Sequence, residues 1–123
     1  MQISLDSGSA KYRISAYGDG FLKVNDDTFD TSVLVHPERP AQPWRPKSVD
    51  ELSNEDIREL SGIEVEIIII GTGPQQMFPP MDLLAPMYDR AIGFEIMDTR
   101  AACRTYNILM AEGRDVLAAL IQI

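Results

Sequence analysis

The sequence predicts a single α/β domain spanning residues 1–123, with a central mixed sheet in a two-layer or three-layer sandwich. The chain has 123 residues, 45% of them hydrophobic, which is enough to bury one core without disulfides or metals. In its second half, short apolar runs alternate with helical segments, the order expected of parallel βαβαβ units. In its first half, two strand-like runs flank a Gly-Asp-Gly turn, which predicts an N-terminal antiparallel hairpin.

The first half of the chain contains short strands, a proline-rich loop and one helix. Strands are predicted over residues 11–17, 21–24 and 31–35, and the last of these ends at His36-Pro37. Residues 37–47 contain four prolines and predict an extended surface loop, in which Trp44 either packs over the core or contacts a partner. Packing over the core is the favoured interpretation. A helix then begins near Ser48 or Ser53 and ends at Gly62.

The second half supplies the buried strands and two further helices. The run IEVEIIIIG predicts a strand buried on both faces, and residues 92–97 and 116–123 predict two more. One helix is predicted over residues 81–90, with Pro86 inside it, and another from Asp98 or Thr99 to Glu112. The predicted apolar stripe of this last helix consists of Ala101, Ala102, Thr105, Ile108 and Leu109.

Composition and charge exclude several classes of function. Nineteen acidic residues against eleven basic ones give a net charge of −8, which disfavours nucleic acid and anionic membranes as partners. The longest apolar run is too short to span a bilayer, and the first ten residues, MQISLDSGSA, lack the pattern of a signal peptide. One cysteine and one histidine leave too few ligands for a structural zinc site. We expect a cytoplasmic protein with its mature N-terminus present and no metal.

Two loops are predicted to meet at the carboxyl ends of the parallel strands, where ligands of open sheets usually bind. One contains Gly71, Thr72 and Gly73, and the other leads through Asp98 and Thr99 into a helix. The glycines suggest a dinucleotide fingerprint, but Gln76 stands where its third glycine is required. We therefore expect no cofactor, and we interpret Gly71-Thr72-Gly73 as a tight turn that requires positive φ.

Phe78, in the segment Phe78-Pro79-Pro80, has two interpretations. A preformed extended backbone with an aromatic anchor is typical of a docking surface. An aromatic residue in a loop more often packs into the core, and we favour that interpretation.

Four polar residues of the last helix, Arg100, Cys103, Arg104 and Asn107, share one face because they are three, four and seven positions apart. Such a face could bind an anion or lower the pKa of the thiol. A nucleophilic cysteine also needs a base, and the single histidine, His36, lies in a distant turn. We predict no catalytic residue and expect Cys103 to be a small buried thiol.

The runs IIIIGTGPQQMFPP, IGFEIMDTRAACRTYNIL and EGRDVLAALI resemble a small bacterial and archaeal domain family of unknown function. Its mitochondrial relatives include an assembly factor for respiratory complex I. The resemblance covers nearly the whole chain and is strongest from Ile63 onward. It implies an α/β sandwich with a central mixed sheet and a non-enzymatic role in at least one branch. It supplies no catalytic residues, and a prokaryotic member is the simplest interpretation.

The leading functional hypothesis is a non-catalytic binding or assembly module that acts on a protein partner. Its expected surface joins the loop of residues 71–80 to the helix face of residues 98–107. The alternative is an enzyme or sensor that holds a small anionic ligand at the two helix N-termini, with Arg100 and Arg104 as charge partners.

Overall fold

A computed structural model describes residues 12–90 and 92–123. The strands are β1 (Ile14–Gly18), β2 (Phe21–Val24), β3 (Asp27–Phe29), β4 (Ser32–His36), β5 (Arg39–Trp44), β6 (Ile67–Gly71), β7 (Gly93–Met97) and β8 (Val116–Leu120). The helices are α1 (Asn54–Ser61), α2 (Met81–Asp89) and α3 (Thr99–Ala111), with a 3-10 turn at Val49–Glu51. The segment MQISLDSGSA and Lys11, where the first predicted strand begins, lie outside the described residues.

The strands form two sheets. A five-stranded mixed sheet has the order β5-β4-β8-β6-β7, and a three-stranded antiparallel sheet has the order β1-β2-β3. Strands β7 and β8 both run parallel to β6, whereas β4 runs antiparallel to β5 and β8. The predicted α/β class, the parallel βαβαβ half and the N-terminal hairpin are confirmed.

Both faces of the five-stranded sheet are covered, so the domain has three layers. Strand β6 alternates between them: Ile68 and Ile70 enter one core, and Ile69 enters the other. The first core lies under α1, α2 and the 3-10 turn. The second lies under α3 and the three-stranded sheet. This two-sided burial explains why the IIIIG run is continuously apolar.

The helix termini follow their local sequence signals. Ser53 and Asp56 form a capping box at the start of α1, and Gly62 is its C-cap. Asp98 caps α3, and Gly113 follows that helix with a φ of 79°. The predicted helices are therefore confirmed, with Pro86 inside α2.

The predicted loop over residues 37–47 is wrong, because most of it forms strand β5. This strand lies at the outer edge of the sheet, where it pairs with β4 on one side. An edge strand has no second neighbouring strand to hydrogen-bond, so Pro40 and Pro43 are tolerated there. Trp44, at its end, is only 6% exposed and packs over the first core, as the favoured interpretation required. Strand β3, which begins at Asp27, was not among the predicted strands.

Candidate functional site

The glycine loop and the start of α3 lie side by side at the carboxyl ends of β6 and β7. The Thr72 N–H donates to the Met97 carbonyl (2.8 Å), and the Thr99 N–H donates to the Gly73 carbonyl (2.9 Å). The fully buried Thr99 hydroxyl accepts from the Gly73 N–H (2.8 Å) and donates to the Ile121 carbonyl (2.6 Å). One side chain thus joins the glycine loop, α3 and the chain after β8.

The two glycines fit this joint for different reasons. A Cβ at Gly71 would lie 2.8 Å from the Thr99 Oγ1 and 3.1 Å from the Leu120 Cδ2, so the approach of α3 leaves no space for one. Gly73 has a φ of 99°, as the interpretation of a turn with positive φ required. The backbone of Gly71 therefore faces Thr99 and Leu120, where a dinucleotide-binding loop would face a pyrophosphate.

The N-terminus of α3 carries its own negative group. The Asp98 carboxylate accepts a hydrogen bond from the Ala101 N–H at 2.9 Å. A carboxylate in this position satisfies a free helix N–H and complements the helix dipole, so a second anion would be repelled. The hypothesis of an anionic ligand gains no support from this contact.

The two arginines of α3 contact the β1–β2 hairpin. Arg100 forms an ion pair with Asp19, with 2.6 Å between Nη2 and Oδ1. Arg104 donates from Nη1 to the Tyr17 hydroxyl at 3.0 Å. Both guanidinium groups thus have partners within the chain, and their hydrogen bonds help to hold the three-stranded sheet against α3.

Asn107 makes the most specific contact of this face. Its Oδ1 accepts from the Ile14 N–H (3.0 Å), and its Nδ2 donates to the Ile14 carbonyl (2.8 Å). Both ends of the amide are therefore bonded to the backbone of β1. In this geometry Asn107 is a clamp between α3 and the small sheet.

The predicted orientation of α3 is wrong in part. Ile108, assigned to the apolar stripe, is 60% exposed. The buried residues of the helix are Thr99, Ala102, Cys103, Tyr106 and Met110. Helix α3 lies between the five-stranded sheet and β1, so a second sheet covers the face that carries Cys103 and Asn107.

Cys103 is fully buried in the second core, as expected of a small buried thiol. Burial raises the pKa of Cys103 to about 12, and the opposing effect of the nearby Arg104 charge does not offset it. At neutral pH the thiol is therefore protonated and is a poor nucleophile.

We expect Cys103 to resist alkylation by iodoacetamide at neutral pH in the folded protein and to react fully in guanidinium chloride. Mass spectrometry of the intact chain over time measures both rates. Alkylation of the native protein at the rate of a free thiol would contradict the burial of Cys103 and would restore the hypothesis of a reactive cysteine.

His36, which was expected to be a turn residue, lies at the end of β4 and is buried. Its Nδ1 accepts from the Glu38 N–H (3.0 Å), so its Nε2–H is directed at the Asp115 carboxylate (2.8 Å). Asp115 is 79 positions away in sequence, and spacing gave no indication of this pair. Because both ring nitrogens are bonded within the chain, the pair connects β4 to the start of β8.

An apolar groove lies between α2, β7 and the loop that carries Phe78. It encloses about 750 Å³. Its lining residues are mainly apolar and comprise Phe78, Pro79, Met81, Leu84, Tyr88, Ile92, Phe94, Glu95 and Ile96. Tyr88 and Phe94, which both line the groove, make an edge-to-face contact with ring centroids 5.1 Å apart.

Phe78, Met81 and Tyr88 project from this groove into solvent. Their exposed fractions are 71%, 74% and 57%, which is high for large apolar side chains. Phe78 also lines a second groove of about 500 Å³ on the α1 side. The interpretation of Phe78 as a core residue is therefore wrong. Clustered exposed apolar side chains of this kind mark binding surfaces.

Met81 and Tyr88 were not among the residues predicted for the site. A signal for them exists in the sequence, because positions seven apart lie on the same face of a helix. The buried face of α2 carries Leu84 and Met87, whereas Met81 and Tyr88 are exposed. The buried Leu84 is three positions from Met81 and four from Tyr88, so these two residues widen the apolar stripe of α2 beyond its buried face. An apolar stripe wider than the buried face predicts a contact outside the core.

This fold and this groove define a small α/β domain with an exposed apolar surface beside its sheet. The family model for a protein of unknown function, DUF498/DUF598, matches residues 14–121, and the chain belongs to this family.

Named relatives and a solved structure agree with this assignment. An uncharacterized protein of Rhodobacter capsulatus is 33% identical over 88% of this chain and 82% of its own length. The NADH dehydrogenase (ubiquinone) 1 alpha subcomplex assembly factor 3 of Bos taurus is 32% identical, and the match covers 94% of this chain and 63% of that protein. This chain thus spans less than two thirds of that assembly factor. A crystal structure from Bordetella parapertussis superimposes with a TM-score of 0.85 and 35% identity, covering 94% of this chain and 98% of that one.

No helix in the described ranges is long and apolar enough to cross a bilayer.

Proposed function

We propose that this protein is a non-catalytic binding module that holds a protein partner through the groove between Phe78, α2 and β7. The observation that carries the proposal is the exposure of Phe78, Met81 and Tyr88 around one apolar groove. Burial of a large apolar side chain contributes roughly 1.5–3 kcal/mol, so three such anchors would support a specific complex.

The similarity to an assembly factor supports a protein partner. The bovine relative is named for assembly of a respiratory enzyme subcomplex, a task that requires contact with other polypeptides. The chemistry of the described residues supports a non-catalytic role: Cys103 is buried and protonated, and His36 is bonded at both ring nitrogens. We further propose that the protein is bacterial, which the relative from Rhodobacter capsulatus supports. We also propose that it acts in the cytoplasm, which the unpaired thiol supports.

The loop of residues 71–80 thus keeps its proposed role, but through Phe78. The glycines of this loop position it, since Gly71 and Gly73 are bonded to or packed against α3. The face of residues 98–107 is proposed as the support of the small sheet, because its side chains contact β1 and the β1–β2 turn.

Site-specific photo-crosslinking tests the proposed surface. A benzophenone amino acid is placed at Phe78 or Tyr88, and at Ile108 as a matched control, since Ile108 has a similar exposure but lies on α3. We expect discrete adducts with a partner protein in native lysate from positions 78 and 88 and none from 108. Equal adducts from all three positions would mean non-specific contact.

The partner identified in this way is then used for affinity measurements. Phe78→Ser is expected to weaken binding at least tenfold, about 1.4 kcal/mol, because it removes an anchor without touching the core. Arg104→Glu is the control on the opposite side of the sheet and is expected to leave the affinity unchanged. The reverse ranking of the two variants would refute the groove and favour the α3 face.

A further inference from the structure

Strand β7 forms one edge of the five-stranded sheet, directly beside the apolar groove. It pairs with β6 on one side, and no described residue pairs with it as a strand on the other. The Met97 carbonyl accepts from Thr72 on the β6 side. Successive residues of a strand direct their N–H and C=O groups to opposite sides, so those of Phe94 and Ile96 are directed away from β6, toward the open edge. The Gln76 side-chain amide confirms this direction, since its Nε2 lies 3.3 Å from the Ile96 carbonyl.

The two edges of this sheet differ in their protection against further pairing. Strand β5, at the opposite edge, carries Arg39, Pro40 and Pro43, and proline and basic side chains prevent edge pairing. Strand β7, with the sequence GFEIM, carries neither proline nor a basic residue. The edge beside the groove is therefore the one that remains competent to add a strand, which would displace the exposed Gln76 side chain from the Ile96 carbonyl.

We propose that β7 accepts an extended segment of a partner protein as an additional strand, and that this segment alternates apolar and basic residues. The proposal rests on the proposed function, because it uses the same groove. Phe94 and Ile96 pack on the α2 face of the sheet, next to the groove. Every second side chain of an added strand would lie on that face, where Phe78, Met81 and Tyr88 would cover it.

Charge complementarity predicts which residues alternate with the apolar ones in the added segment. Glu95 is exposed and borders the groove, but its side chain lies on the other face of the sheet, since it pairs with Ile69 of the second core whereas Phe94 and Ile96 belong to the first. A cross-strand neighbour of Glu95 is favourable when it is basic. Asp82 and Asp50, which line the adjoining groove, are also exposed, and the whole chain has a net charge of −8. A lysine- or arginine-containing segment is therefore preferred over an acidic one.

The same charges disfavour a second copy of this chain at the edge. Antiparallel self-pairing centred on Glu95 would place two glutamates opposite each other, and both protomers would carry −8. The occupant that fits is a different polypeptide with the opposite charge.

Labelled model peptides test the proposal with the intact protein. The probe alternates valine and lysine over seven residues, and its reference alternates valine and glutamate. Fluorescence anisotropy should detect binding of the lysine peptide, with the glutamate peptide at least tenfold weaker. Glu95→Lys should reverse this preference, whereas Glu112→Lys, an equal charge change at the exposed end of α3, should not.

N-methylation of the valine–lysine peptide distinguishes strand addition from other binding. Two peptides are methylated on alternate residues, in opposite phase. In one phase the methyl groups replace the N–H donors directed at β7, and in the other phase they replace those directed at solvent. We expect one phase to lose roughly thirtyfold in affinity and the other to retain binding. Equal losses in both phases, or no binding of the unmodified peptide, would overturn the proposal. A dimer of the protein that the peptide dissociates would also overturn it, because a second copy would then occupy the edge.

These outcomes are separate from those of the proposed function. If both methylation phases weaken the peptide equally while Phe78→Ser still weakens the cross-linked partner, strand addition fails and the binding module stands. If Phe78→Ser has no effect on that partner, the proposed function itself fails.

Discussion

Replacing Thr99 with valine is expected to lower the free energy of unfolding by about 3 kcal/mol, although the two side chains have nearly the same shape. The Thr99 hydroxyl is fully buried and bonds both the Gly73 N–H and the Ile121 carbonyl. Valine would leave two buried backbone groups without partners, and each costs about 1–3 kcal/mol. Urea denaturation followed by circular dichroism measures the change.

Thr105→Val is the matched control, because it makes the same substitution six positions further along α3. The Thr105 hydroxyl contacts the Met97 sulfur at 3.4 Å, and a thioether is a weak acceptor. We expect a change of less than about 1 kcal/mol. If Thr99→Val were as mild as Thr105→Val, the glycine loop would not be held by Thr99, and the account of this joint would be incorrect.

Replacing Asn107 with alanine is expected to cost about 2 kcal/mol, because both hydrogen bonds to the Ile14 backbone are lost. The substitution should lower the stability of the whole domain and should also increase opening of the three-stranded sheet in particular. Amide hydrogens in residues 14–29, the three-stranded sheet, should exchange faster relative to those of β6 and β8. Hydrogen exchange with mass spectrometry measures the two regions in one experiment.

Asn54→Ala serves as the control, since Asn54 is an exposed residue at the first position of α1. We expect no change in exchange over residues 14–29. Uniform acceleration across all strands in Asn107→Ala would show that the small sheet does not open separately, and the clamp would then have no local role.

The elements of this fold follow from local signals wherever those signals are complete. The helix starts were narrowed to Ser48 or Ser53 and to Asp98 or Thr99, and Ser53 and Asp98 are the caps in the structure. The continuous isoleucines of β6 indicated burial on both faces. Strand β5 was missed because its pairing with β4 overrides the preference of proline for loops. That pairing depends on the strand lying at an edge, which local sequence does not reveal.

The candidate site was harder to predict because its contacts join distant parts of the chain. Helical spacing correctly placed Arg100, Arg104 and Asn107 near one another, but it could not reveal that the β1–β2 hairpin contacts them. Asn107 and Ile14 are 93 positions apart, and Arg100 and Asp19 are 81 apart. Spacing within one element identifies which residues share a face, whereas tertiary packing decides whether that face binds the protein itself or a partner.

Phe78 illustrates the opposite case. Most aromatic residues are largely buried, so the core was the favoured prediction for this side chain. Pro79, its neighbour, is buried, whereas Phe78 is exposed between two grooves. The adjacent residue anchors the loop, and the aromatic ring remains available for contact.

Hydrogen exchange of the complex with the cross-linked partner tests the central claim most directly. If the groove and the edge of β7 hold the partner, protection on binding should appear in residues 76–96, with the Phe94 and Ile96 amides among the most protected. Residues 98–107 should show no change. Protection confined to α3 and the β1–β2 turn, with residues 76–96 unaffected, would contradict the account and would place the partner on the arginine face.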